Sequence, residues 1–163
     1  MELILDRWLH ILAGVTWIGL LYYFNFVQAP GLAKARADGT AAGITTHIAP
    51  RALLWFRWAA VATWLTGAFY LFRASNLSLA DAFMLKGASA TIGLGAWLGT
   101  IMLFNVWVLI WPNQKKVLGI VKVDDATKAK AARVAFLASR TNTMLSIPMV
   151  FFMVAGAHLP TLR

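Results

Sequence analysis

Apolar residues in this chain fall into four long runs separated by three polar connections. The first, Trp8 to Gln28, reads WLHILAGVTWIGLLYYFNFVQ and contains His10 as its only residue that titrates near neutrality. A run of about 20 apolar residues is what a helix needs to cross a hydrocarbon core of about 30 Å. Pro30 and Gly31 are expected to end it. Val27-Gln28-Ala29 loosely resembles a signal-peptidase site, but the run exceeds a signal h-region, Glu2 and Asp6 precede it, and Pro30 would follow the cut. We therefore expect it to be retained as a span.

The segment GLAKARADGTAAGITTHIA (31–49) is too polar to cross and reads as a loop with room for a short surface helix. The second run extends from Pro50, well placed near a helix start, to Phe72, and Arg73-Ala74-Ser75-Asn76 closes it. The third begins near Ser78 or Ala80 and continues to Trp111. At about 1.5 Å per residue this is longer than the core requires, so its first turns are expected in the interface. Pro112-Asn113 is expected to end it. In the fourth, Asp124 or Asp125 can cap a helix that starts basic and amphipathic, becomes wholly apolar after Asn142, and ends near His158 and Pro160. The pattern predicts an all-α, integral membrane four-helix bundle. It forms a single domain, 1–163, with spans at about 8–28, 50–72, 84–111 and 137–158.

Composition supports the lipid bilayer as solvent: 60% of residues are hydrophobic, 13% are charged, and the mean hydropathy is +0.69. A typical soluble domain carries about 25% charged residues. The net charge of +9 does not indicate a nucleic-acid partner, because most Lys and Arg lie in the connections, where topology and anionic headgroups account for them. Four spans put both termini on one face. Arg7, Arg73, Lys86 and Arg163 fall on that face, and the other eleven basic residues on the opposite one. By the positive-inside rule the chain is multi-pass, N-out and C-out. With no Cys, the chain has no disulfide, thiolate metal site or covalently attached c-type haem.

This topology puts His10, in the first turn of span 1, and His158, at the end of span 4, at the outer face, with His47 at the inner one. Two readings follow. His10 and His158 can ligate the iron of a b-type haem between spans 1 and 4, or each can face water and headgroups at a helix end. Gly87, Thr91, Gly95 and Gly99 recur at four-residue spacing on span 3, and Gly14 lies one turn after His10. Such glycines either admit a flat macrocycle, in which case Gly14 and Gly95 contact the cofactor, or permit close helix packing. Toward the inner half, Arg57, Asn105, Arg140, Asn142 and Ser146 form a polar set that needs partners. Arg140 can hold an anion such as a haem propionate, or it can snorkel to lipid phosphates. The eight Trp read mainly as interfacial anchors.

Three stretches carry a family resemblance: Arg7-Trp8-Leu9-His10 with Trp17-Ile18-Gly19, Asn105-Val106-Trp107 through Trp111-Pro112-Asn113-Gln114-Lys115, and Arg140-Thr141-Asn142 through Pro148 to His158. Together they resemble the N-terminal membrane domain of bacterial membrane-bound, cytochrome-c-linked urate oxidases (urate hydroxylases). The resemblance implies a bacterial inner (cytoplasmic) membrane location and a redox role, as an oxidoreductase or a subunit of one. It also implies electron exit on the outer side to a cytochrome c or a larger redox complex. This chain departs from the family in having no Cys-x-x-Cys-His and about half the spans. Span 1, with Leu9-His10-Ile11 and Trp17, also looks like the four-helix haem-containing protoporphyrinogen oxidases. The leading expectation is a haem b protein that passes electrons, alone or as part of an oligomer or assembly. The alternative is a non-catalytic accessory subunit of a larger membrane complex.

Overall fold

The structure, a computed structural model, describes the backbone of residues 1–158 and the side chains of residues 1–155. All regular structure among the described residues is helical. We number the helices α1 (Glu2–Ala37), α2 (Ala49–Arg73), α3 (Leu79–Phe83), α4 (Gly87–Val117) and α5 (Asp125–His158). The side chains that meet across each interface show antiparallel neighbours. Glu2 meets Arg73 and His10 meets Thr63 between α1 and α2. Trp64 meets Thr100 between α2 and α4, Asn105 meets Asn142 between α4 and α5, and Tyr22 meets Ser146 between α1 and α5. The four long helices thus run alternately up and down in a ring, the arrangement that short connections favour.

Helices α1 and α4 run past the prolines expected to end them. Two π turns explain this, Tyr23–Gln28 within α1 and Asn105–Ile110 within α4, and a third, Ile44–Ile48, leads into α2. Each is followed, two residues on, by a proline, namely Pro30, Pro50 and Pro112. A proline ring in a regular α-helix collides with the carbonyl four residues back and lacks the N–H to bond it. Here that carbonyl belongs to Phe26, Thr46 or Val108, always inside the wider π turn, where bonding is shifted by one residue. The helix continues, to Ala37 in α1 and to Val117 in α4. Pro148 lies inside α5 without such a turn.

The start of the third apolar run is not one continuous helix. Ser78 caps the short α3, its Oγ accepting from the Asp81 N–H at 3.2 Å. The chain then reverses through Leu85 (φ 54°) and Gly87 (φ 53°) before α4 begins. Trp97 ties α3 to α4: its Nε1 donates to the Phe83 carbonyl at 2.9 Å and its ring meets Phe83 edge-on. Gly93 makes this contact feasible, because a Cβ there would overlap the Ala82 carbonyl.

Large apolar side chains lie on both surfaces of the bundle. Trp17, Leu21, Phe56, Met102 and Val106 fill the interior. The outward stripe of α5, Met144, Ile147, Phe151 and Val154, is 73%, 67%, 56% and 55% exposed, while Asn142 and Ser146 on its other face are fully buried. Among the described residues, α1 and α4 are long and apolar enough to cross a membrane.

Candidate functional site

A cavity of about 610 Å³ opens between the four long helices, at the end of the bundle formed by the start of α1 and the end of α2. That volume is within the usual range for small-molecule sites. Arg7, His10 and Trp17 from α1, Thr63 and Gly67 from α2, Gly99 from α4, and Met149 and Met153 from α5 all contribute to its wall. None of its lining residues is acidic.

His10 is held in one orientation. Its Nδ1 lies 2.8 Å from the Thr63 carbonyl oxygen. A carbonyl can only accept, so Nδ1 carries the proton and, in the neutral ring, Nε2 carries the lone pair. No described residue bonds Nε2. Gly67 makes the position possible: a Cβ there would stand 2.8 Å from His10 Cε1 and 2.9 Å from Nδ1. The Thr63 and Thr66 hydroxyls bond back to the carbonyls of Ala59 and Ala62 in α2, and Thr66 Oγ1 also stands 3.1 Å from the Thr63 carbonyl and 3.5 Å from Nδ1. A histidine that donates one ring nitrogen to a backbone carbonyl and offers the other is the arrangement typical of metal-ligating imidazoles.

The other anticipated residues are distributed differently. His158 closes α5, on the cavity end of that helix, but its side chain lies outside the described residues. Gly14 faces α2, where a Cβ would meet Thr63 Cγ2 at 3.8 Å. Gly95 faces α5, where a Cβ would lie 3.2 Å from Met153 and 3.3 Å from the Met149 carbonyl, so this glycine sets the α4–α5 separation. Neither belongs to the cavity lining, whereas Gly99 of the same row does. Arg140 is exposed, with its guanidinium 5.0 Å from the Phe136 ring centroid. It lies nine residues before Met149 in α5, about 13 Å along the axis at 1.5 Å per residue, and away from the cavity. His47 is exposed in the π turn before α2, at the opposite end.

Most of the inner polar set is satisfied locally. Asn105 donates to Asn142 Oδ1 at 2.8 Å, and Asn142 donates to the Met102 carbonyl at 3.0 Å. Asn25 donates to Ser139 Oγ at 2.7 Å, and Tyr22 and Ser146 hydroxyls meet at 3.0 Å. Asn25 and Asn105 both lie in π turns, which turn these amides toward α5. Arg57 stacks 3.7 Å from the Trp111 ring centroid, although its Nε has no hydrogen-bond partner among the described residues.

Sequence reasoning located His10 but missed Thr63, Gly67, Trp17 and the two methionines as its neighbours. The available signal was the small-residue set Thr63, Thr66 and Gly67 on one stretch of the second run. Trp17 is 1% exposed, lines the cavity, and has an indole N–H with no partner among the described residues.

Fold and site together define an all-helical bundle with a histidine-bearing cavity between its helices. The sequence profile of the urate oxidase N-terminal family matches residues 74–162, and the chain belongs to that family. The match covers α3, α4 and all of α5; His10, Thr63 and Gly67 lie outside it. No curated protein and no solved structure matches the chain.

Proposed function

We propose that this protein is a multi-pass membrane redox protein, related to the membrane domain of urate oxidases, that binds a non-covalent b-type haem in the cavity at His10. The single observation that carries this reading is the His10 geometry: Nδ1–H fixed on the Thr63 carbonyl, Nε2 without a partner among the described residues, and the ring lining a cavity of about 610 Å³. The residues present suit such a group. Neutral imidazole is a strong iron ligand, and the carbonyl bond raises its basicity and holds the ring plane. Ile11, Leu71, Leu77 and Ile92 supply apolar wall for the macrocycle. His158, at the end of α5, is the proposed second ligand. When bound, haem supplies a one-electron couple.

The membrane reading is supported by the outward apolar stripe of α5, by the buried amides inside the bundle, and by the apolar length of α1 and α4. The positive-inside count orients the cavity toward the outer face of a bacterial inner membrane, where a cytochrome c or another redox subunit would take the electron. The test is the haem content, by pyridine haemochrome, of protein purified from a haem-replete host. We expect haem in near-stoichiometric amount, and haem-free protein overturns the proposal.

A further inference from the structure

The cavity has a charged mouth. Arg7 precedes His10 by three residues on α1, so the two share a face one turn apart, and both line the cavity. The second arginine at this end, Arg73, is neutralised by Glu2 at 2.6 Å. Arg7 has no carboxylate within ion-pair distance among the described residues, and no acidic residue lines the cavity. Asn76, from the turn after α2, adds an amide to the same lining, and Tyr70 adds a hydroxyl. Deeper in, the wall is apolar at Ile11, Ile92 and Met149, and at Trp17 an indole N–H has no partner among the described residues. A basic, donor-rich mouth above an apolar body fits an amphiphile that carries its negative charge at one end.

We propose that Arg7 is the anion-holding residue of this cavity, and that the ligand enters with its carboxylates at Arg7 and its apolar body against the helices. For the haem reading, on which this inference builds, Arg7 rather than Arg140 takes the propionates. Guanidinium pairs with carboxylate in a fixed bidentate geometry, and charge-assisted bonds are about twice as strong as neutral ones.

The experiment is a pair of titrations of purified, haem-depleted protein in detergent micelles. Haemin is compared with haemin dimethyl ester by absorbance, and metal-free protoporphyrin IX with its dimethyl ester by quenching of tryptophan fluorescence. Wild type should bind each diacid roughly tenfold or more tightly than its diester, the scale of one charged hydrogen-bonded contact. R7Q should bind acid and ester alike, and R7K should keep part of the preference. If R7Q keeps the full preference, or wild type shows none in either pair, the proposal is overturned. A preference that depends on Arg7 for the metal-free pair, without a band that depends on His10 for haemin, upholds Arg7 and removes haem as the ligand.

Discussion

Gly67 of α2 lies directly against the imidazole of His10 on α1, so closely that a methyl group there would stand 2.8 Å from Cε1. The space that would hold a side chain at 67 is occupied by the ring whose Nδ1 bonds the Thr63 carbonyl.

Replacing Gly67 with Ala therefore displaces the ring without touching the cavity's other walls. We expect G67A to fold, as read by circular dichroism, while losing most of its bound haem or shifting its absorption bands. Alanine also favours the helix over glycine by about 1 kcal/mol, so simple unfolding is not the expected failure. Unchanged bands in G67A would contradict the assigned position of His10.

The polar seam between α4 and α5 gives a stability prediction. Asn142 is fully buried, accepting from Asn105 and donating to Met102. Asn142→Leu strands the Asn105 side-chain amide and removes one of the bonds to the Met102 carbonyl, and should destabilise the protein by about 1 to 3 kcal/mol in denaturant unfolding in micelles. Replacing Asn105 with Leu as well removes one stranded donor, and the double variant should recover part of the loss. Equal stability of N142L and wild type would show that the seam contributes nothing.

How much of this was legible beforehand differs by element. Apolar length revealed the four long helices, and His10 was noticeable as the one imidazole in the first run. The helix ends were not legible, because Pro30 and Pro112 normally stop a helix and nothing in their own neighbourhood announces a π turn. The fold-back of α3 was hidden because Leu79 to Phe83, with Asp81 its one charge, runs on without a proline into the apolar residues of the helix it packs on. Gly67 gains its role only from the α1–α2 register, a long-range relation that periodicity does not encode; Arg7 shares a face with His10 by its three-residue spacing, but that this face lines a cavity follows only from the packed bundle. Arg140 was plausible by residue type alone, and its position along α5 is what separates it from the cavity.

At the start of α5, Asp124 accepts the Thr127 N–H at 2.7 Å and the Thr127 hydroxyl at 2.9 Å. These bonds favour the carboxylate and hold its pKa below the ordinary value of 3.8. A depressed folded pKa means that the contribution is complete above that ordinary value and is lost as pH falls through the folded one. Hydrogen-exchange protection of the Thr127 amide should fall in that acid window. Asp124→Asn should keep a cap but remove the pH dependence, and an identical acid profile in D124N would refute the assignment.

Orientation is tested separately. An alkaline phosphatase fused after Arg163 should be active and a fluorescent protein fused there should be dark, as expected for a C-terminus on the outer face. The reverse pattern would put the cavity on the cytoplasmic side and invert the electron path.

The most direct test of the central claim is the dithionite-reduced minus oxidised absorption spectrum of the purified chain, wild type beside H10A. The account predicts sharp b-type bands in wild type that are abolished or shifted in H10A, while the circular dichroism of the two remains the same. Identical bands in both proteins, or none in wild type, would contradict it.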